Sequence, residues 1–130
     1  YPDTPEHDVL LSVAFGDHQV TMWSAEIMAR TIGASVHRPA LAEGRHPDTE
    51  PYWGLPAIGS YPFAGSALVV WDSGAAVPPT VNRPPRQGVD PHEDPRADAD
   101  NRRQKYAFLF GEELVDVCAG GPCSARSVAD

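Results

Sequence analysis

An aspartate and a histidine stand where a catalytic pair could form. Asp17 follows a nearly continuous apolar run, residues 9–15, and His92 lies in a polar loop before a stretch of helix-forming residues. A neutral histidine can take a proton from a hydroxyl group. A carboxylate on the other ring nitrogen then fixes the tautomer and stabilises the imidazolium. Asp17 and His92 are therefore our candidate acid–base pair.

Simpler interpretations and competing residues exist for both positions. Asp17 could serve only to cap the amides of its own turn, and His92 could be a solvated loop residue. His18 competes for the histidine role, although its adjacency to Asp17 makes their pairing awkward. Asp72 follows a second apolar run and is the alternative acid. We interpret the remaining histidines as surface residues: His7, His37 and His46.

The apolar pattern predicts the elements that must position these residues. Residues 9–15 and 67–71 are typical of strands buried on both faces of a parallel sheet. An apolar stripe predicts a helix over 22–32, which Thr21 caps and Gly33 ends. The carboxyl ends of parallel strands gather functional groups, and both Asp17 and Asp72 stand at such ends.

The second half of the chain is predicted to hold one helix between long irregular segments. This helix covers 96–110; Asp94 or Pro95 opens it, and Gly111 closes it. A short extended segment is expected over 112–117. We interpret residues 1–8 as a leader loop and residues 39–65 as an ordered excursion or lid. Residues 77–95 form the loop that carries His92, and residues 112–130 form a tail that holds both cysteines.

These elements predict an α/β fold with too few strands. Two strands cannot form a stable sheet by themselves, because three or more paired strands are needed. We therefore expect the chain to belong to a larger sheet, completed by another chain or by a missing N-terminal part.

Composition excludes several classes of protein. The chain has 130 residues, enough for one domain at most, and its net charge of −8 argues against binding to nucleic acid or an anionic membrane. No apolar run approaches the roughly 18–20 residues of a membrane-spanning helix. Zinc-protease, Walker and dinucleotide motifs are absent from the sequence, so we expect no metal and no cofactor.

An acidic group in the second half is the one alternative metal site. Oxygen ligands of this kind can bind Ca²⁺, but the spacing of an EF-hand is absent. We interpret these residues as solvated charges: Asp90, Glu93, Asp94, Asp98 and Asp100.

The two cysteines bear on the cellular compartment. Cys118 and Cys123 enclose Ala-Gly-Gly-Pro, a turn that can bring two sulfur atoms together. A disulfide indicates an exported protein: secreted, periplasmic or at the cell surface. The alternative is a pair of free thiols in a cytosolic tail. Because the chain begins with Tyr1, we interpret its start as a processed end or an artificial boundary.

Residues 9–33 resemble the end of the α/β-hydrolase fold. They combine a buried strand, a Gly-Asp turn at 16–17 followed by Val20, and a helix that ends in Gly33. The resemblance covers roughly residues 9–33 and 66–110, and large secreted or lipoprotein-type bacterial hydrolases are similar. It implies that Asp17 orients the catalytic histidine and that His92, before the last helix, is that histidine. The family order is Ser, Asp, His.

The chain departs from this family in two respects. It contains no Gly-x-Ser-x-Gly, so the nucleophile is expected on an N-terminal chain of the same precursor. The stretch between Asp17 and His92 is also long for the family. The resemblance thus implies the C-terminal segment of one hydrolase domain over 1–130. It would be the acid–base half of a proteolytically processed serine hydrolase that acts on a small or hydrophobic ester.

Four aromatic residues could roof an apolar substrate pocket or could simply pack against the body: Tyr52, Trp53, Tyr61 and Phe63. The alternative function is a non-catalytic exported binding or assembly subunit, whose apolar strands pair with a partner chain.

Overall fold

A computed structural model describes residues 3–128, which form an α/β fold with four strands and three helices. In chain order the elements are β1 (Leu10–Ala14), α1 (Met22–Ile32), β2 (Ser35–Val36), β3 (Ala67–Asp72), α2 (Asp94–Ala97), α3 (Ala99–Gly111) and β4 (Cys123–Ser124). The first two residues of the leader 1–8 and the last two of the tail 112–130 lie outside the described residues.

Strand β3 is the centre of the sheet. It pairs in parallel with β1 over its first five residues, from Leu10 opposite Ala67 to Ala14 opposite Trp71. On its other side, β2 pairs with the start of β3 and β4 with its end, both in parallel. The predicted pair of parallel strands is confirmed. Strands β2 and β4 were not predicted, because two residues are too few to show a strand pattern.

Strand β1 forms an edge of the sheet. Within residues 3–128 it pairs only with β3, so its outer backbone groups have no strand partner. Residues Leu10 to Val13 are only partly buried, whereas the first five residues of β3 are all buried. The prediction of burial on both faces is therefore wrong for most of the first run, which forms β1, and confirmed for residues 67–71, which form β3.

Helices cover both faces of β3. Leu68 and Val70 point to the α1 side, where they pack in a cluster with Phe15 and Met22. The alternate residues Ala67, Val69 and Trp71 form a second cluster with Phe108 of α3. The central strand therefore separates two apolar clusters, and helices flank the sheet end at which Asp17 lies.

Helix α1 has the predicted bounds, with one difference at its start. Gly33 adopts a left-handed conformation (φ 70°), and its amide donates to the last turn of the helix. Thr21 occupies the N-cap position, but its side chain makes no capping hydrogen bond. Instead the amide and the hydroxyl of Ser24 both donate to the carbonyl of Thr21.

The predicted helix over 96–110 is divided into α2 and α3. Asp98 interrupts it with an extended backbone (ψ 134°), and its side chain accepts hydrogen bonds from the amides of Asp100 and Asn101. The prediction of one continuous helix is wrong because this N-cap starts a new helix at Ala99.

The segment 39–65 packs against the body of the protein. It buries Leu41, Tyr52 and Leu55 in the cluster on the α1 side of the sheet. Phe63 forms an antiparallel bridge with Leu114, so the 112–117 segment joins this excursion instead of forming a strand. Among residues 3–128, no helix combines the length and apolar character needed to cross a membrane.

Candidate active site

The turn after β1 fixes the position of Asp17. Gly16 has a φ of 80°, a backbone conformation that favours glycine. A Cβ at this residue would also come within 2.8 Å of the carbonyl oxygen of Ala76, so there is no room for a side chain. Asp17 is 6% exposed, and its Oδ1 accepts hydrogen bonds from the amides of Gln19 at 2.7 Å and Val20 at 2.9 Å. Its Oδ2 remains free for another donor.

That other donor is His92. Its Nδ1 lies 2.7 Å from Oδ2 of Asp17, although the two residues are 75 positions apart in the chain. Both side chains are shielded from solvent, with exposures of 15% for His92 and 7% for Asp17. The fold thus brings together the two residues that sequence reasoning selected. Asp17 also caps its own turn, so the simpler interpretation of this residue holds at the same time.

Arg96 lies at the other ring nitrogen of His92 and indicates which nitrogen carries the proton. An Nη atom of Arg96 lies 3.0 Å from Nε2 of His92, and Glu93 holds the guanidinium with a 2.8 Å contact. Arginine can only donate hydrogen bonds, so Nε2 must accept and its lone pair must be free of a proton. The proton therefore resides on Nδ1 and is donated to Asp17. This is the tautomer that a general base needs.

Asp90 connects the loop of His92 to the turn of Asp17. Its Oδ1 accepts from the amides of His18 and His92, both at 3.1 Å, and its Oδ2 accepts from Nε2 of Gln19 at 3.0 Å. Burial opposes ionisation of this carboxyl group, but these hydrogen bonds outweigh it and lower the pKa of Asp90. Sequence reasoning missed this role because Asp90 resembled the other acids of its stretch.

The alternative residues are placed differently. His18 is bound to Asp90 through its backbone amide, while Nδ1 of His92 takes the free carboxylate oxygen of Asp17. Asp72 forms a two-pronged ion pair with Arg45, at 2.7 and 2.9 Å. Hydrogen bonding to Asp72 raises the pKa of Arg45 in spite of burial. Neither alternative forms an acid–histidine pair.

Of the three histidines predicted to be on the surface, His37 is buried and His46 is partly buried. His7 is exposed, as expected. His37 is 1% exposed and lies between the hydroxyl of Tyr61 and the carbonyl of Gly121.

The partly buried histidine is His46. Its side chain is 5% exposed, and its ring lies between Trp23 and Tyr52, 3.1 Å from a carboxylate oxygen of Glu26. The surface assignment of His37 and His46 is wrong because their partners are distant in sequence.

Three acidic residues of the stretch 90–100 bind groups within the protein. Asp94 is 2% exposed and accepts from the amide of Val128, Asp98 caps α3, and Asp100 pairs with Arg103. The candidate metal-ligand group within residues 3–128 is instead His37 with Cys118 and Cys123, whose ligand atoms lie within 4.8 Å of one another. The two cysteines form the predicted disulfide, which leaves no thiolate for a metal in this form.

A cleft of ≈ 750 Å³ opens beside Asp17. Its walls come from three parts of the chain: residues 17–23 at the start of α1, residues 47–49, and the proline-rich residues 78–85. Trp23 is the aromatic residue of this cleft. Tyr52, Trp53, Tyr61 and Phe63 do not line it. Tyr52, Tyr61 and Phe63 pack against the two apolar clusters, in line with the alternative of ordinary packing.

The site has no nucleophile among the described residues. The hydrogen bonds of His92 within residues 3–128 go to Asp17, Asp90 and Arg96, and none goes to a serine, threonine or cysteine. Chemically, the arrangement can accept and return one proton at Nε2. No protein-family model, no curated protein and no solved structure matches this chain.

Proposed function

We propose that this chain is the acid–base half of a serine hydrolase with an α/β-hydrolase fold. The observation that carries the proposal is the 2.7 Å contact between Nδ1 of His92 and Asp17. The contact of Arg96 with Nε2 supports the tautomer in which Nε2 is able to take a proton. The strand–Asp turn and the later His loop occur in the order that the family resemblance implies. A serine on an N-terminal part of the same precursor supplies the nucleophile.

The proposed reaction proceeds through an acyl-enzyme. Nε2 of His92 takes the serine proton as the serine oxygen attacks the ester carbonyl. His92 then returns this proton to the leaving alcohol, and Asp17 stabilises the imidazolium in between. Water, activated by His92 in the same way, releases the acid. Arg96 must leave Nε2 before the serine hydroxyl can approach it.

The open edge of β1 supports the proposal that an N-terminal part of the precursor completes the sheet. Its partly buried Leu11 and Val13 and its unpaired outer backbone groups match a strand that continues into a wider sheet. The flanking helices add exposed apolar side chains, at 51% for Met28 of α1 and 68% for Leu109 of α3. A neighbouring strand with its own helices would cover these groups.

The disulfide supports an exported location for the proposed hydrolase. Cys118 and Cys123 are joined, and such bonds persist in oxidising compartments. We propose a secreted, periplasmic or cell-surface enzyme. We propose a small or hydrophobic ester as its substrate. Trp23 and the prolines of the cleft beside Asp17 support this choice, although polar and charged side chains also line the cleft and His92 does not.

The first test is to label the native particle with a fluorophosphonate probe and to analyse it by denaturing mass spectrometry. We expect a second chain that carries the probe on a serine. A particle that contains only this chain, without label, would contradict the proposal.

The second test uses variants of the assembled particle. Asp17→Asn and His92→Ala are each expected to lower short-chain ester hydrolysis by about 10³–10⁴-fold while the particle remains assembled. The matched controls are His7→Ala, at an exposed histidine, and Asp100→Asn, at an exposed acid. Hydrolysis at wild-type rates in both site variants would show that Asp17 and His92 are ordinary loop residues.

A non-catalytic binding or assembly subunit is the second candidate function. The observation that favours it is the exposed apolar patch on α3, where Tyr106, Leu109 and Phe110 are 67%, 68% and 73% exposed. Patches of this kind mark protein contacts. In this case a stoichiometric partner would co-purify, and neither it nor this chain would react with the probe.

A further inference from the structure

Asp90 links the two loops of the site at three points. It lies two residues before His92 and binds the backbone amide of His92 in a local turn. Its contacts with the amide of His18 and the side chain of Gln19 span 72 and 71 positions of the chain. A local turn accounts for the first contact only, so the other two connect separate parts of the fold.

The carboxylates of Asp17 and Asp90 bind different groups of the same turn and of His92. Asp17 binds the amides of Gln19 and Val20 with one oxygen and the ring of His92 with the other. Asp90 binds the same turn, at the amide of His18 and the side chain of Gln19, together with the backbone of His92. The turn therefore holds the ring of His92 through one carboxylate and the backbone of His92 through the other.

The lowered pKa of Asp90 is consistent with this arrangement. An ionised carboxylate only accepts hydrogen bonds, and all three of its partners are donors. Loop 77–95 is long and rich in proline, and its residues 82–84 and 86–89 are exposed. The contacts of Asp90 thus tie this loop to the sheet end next to His92, in addition to the contact between His92 and Asp17.

We propose that Asp90 is a positioning residue that holds the backbone of His92 against the turn after β1, so that Nδ1 meets Asp17. Its effect on hydrolysis rests on the proposed function. Its effect on the Asp17–His92 contact does not. Displacement of a catalytic group by about 1 Å costs about 10²-fold in rate, so loss of this anchor is expected to lower kcat.

The test reads the proton on Nδ1 of His92 by ¹⁵N and ¹H NMR of the full chain labelled at histidine. The wild type is expected to show one tautomer, with a slowly exchanging proton on Nδ1. Asp90→Ala is expected to lose this signal through fast exchange. Asp90→Asn is expected to retain it, because Oδ1 still accepts from both amides and the Gln19 amide can rotate to accept from the new NH₂ group.

Two further variants test whether loss of the Nδ1 signal is specific to the anchor at Asp90. Asp100→Ala removes an acid of the same stretch whose carboxylate binds Arg103 outside the site, so it should leave the signal unchanged. Gln19→Ala removes one of the three donors at an exposed side chain, and it should accelerate exchange of the Nδ1 proton even if Asp90→Ala fails to fold. A wild-type signal in Gln19→Ala and in any folded Asp90→Ala protein would overturn the proposal.

Kinetics of the assembled particle separate the two proposals. We expect Asp90→Ala to lower kcat by about 10–100-fold with a small change in KM, and Asp90→Asn to recover most of the rate. If the wild type hydrolyses no ester while Asp90→Ala still loses the NMR signal, the proposed function fails and the positioning role stands. If Asp90→Ala keeps both the signal and the rate, the positioning role fails and the function stands.

Discussion

Arg96 lies 3.0 Å from Nε2 of His92, on the nitrogen that the contact with Asp17 leaves free. Its side chain is 59% exposed and is held by Glu93, which is 57% exposed. An exposed ion pair of this kind is weak, at about 0–1 kcal/mol. Arg96 therefore protects Nε2 in this chain and can be displaced by a stronger partner.

We expect Arg96→Ala to make His92 more reactive toward diethyl pyrocarbonate, which acylates an unprotonated imidazole nitrogen. The rate should rise severalfold, because the donor that covers Nε2 is gone. Mass spectrometry of the peptide that contains His92 measures this rate, with exposed His7 as the internal standard. Arg103→Ala removes an arginine that pairs with Asp100, and it should change nothing. Equal rates in all three proteins would mean that Arg96 does not cover Nε2.

Replacement of Gly16 tests the turn that carries Asp17. Gly16→Ala combines a positive φ with a contact of 2.8 Å between the new Cβ and the oxygen of Ala76. Gly74→Ala is a matched control, because its φ of 84° is similar but nothing lies within 4 Å of a Cβ. Chemical denaturation should show a loss of about 1 kcal/mol for Gly74→Ala, since backbone strain costs 1–3 kcal/mol, and a larger loss for Gly16→Ala. Equal losses would show that the turn relaxes around the added methyl group.

Stability in acid should depend on Asp90. Its pKa is lowered in the folded chain from 3.8, so its carboxylate stabilises the fold above pH 3.8. This contribution is lost as the pH falls through the folded pKa. The difference in unfolding free energy between the wild type and Asp90→Ala should thus be constant near neutral pH and shrink below pH 3.8. A difference that grows on acidification would contradict the lowered pKa.

Stability in alkali should depend on Tyr61. Burial, with a smaller contribution from Asp116, raises the pKa of Tyr61 from 10.0 to about 12. The unfolded chain therefore loses this proton first, and the fold loses stability as the pH rises from 10 to 12.

The measurement for Tyr61 is alkaline unfolding followed by circular dichroism. Tyr61→Phe should be less stable at neutral pH by about 1 kcal/mol, because the contact with Nδ1 of His37 is lost. It should also show a smaller further loss between pH 10 and 12. An identical alkaline loss in both proteins would assign this effect to Tyr52, whose pKa is also raised, mainly by burial.

The disulfide should make a modest contribution to stability. Cys118 and Cys123 are five positions apart, so their bond closes a short loop. Replacement of both by serine should cost about 2 kcal/mol in unfolding free energy, with little change in the Asp17–His92 contact. The same denaturation series measures this, with reduced wild type as a second comparison. A loss of the Nδ1 signal of His92 in the double variant would show that the tail supports the site.

Sequence reasoning located Asp17 and His92 because each follows from a strong local pattern. Asp17 ends an apolar run, and His92 precedes a helical stretch in the order expected from the resemblance. The elements α1, β1 and β3 were predictable for the same reason, since their apolar periodicity extends over at least one full strand or helix.

The remaining features depend on contacts that no local pattern contains. Asp90 looks like its acidic neighbours until His18 and Gln19 come close to it. His46 looks like a surface residue until Glu26 of α1 lies beside it. The break at Asp98 could have been anticipated, because an aspartate two and three residues before free amides is a common helix N-cap.

The outer edge of β1 has a consequence for handling the protein. Its sequence, Leu-Leu-Ser-Val-Ala, contains no charged residue and no proline, and these are the features with which edge strands resist unwanted pairing. A free edge of this kind can be extended by any exposed strand, including β1 of a second copy. The edge at which the proposed N-terminal chain would pair is thus also an edge through which two copies of this chain can associate. If the proposed N-terminal chain pairs here, co-expression with it should reduce self-association.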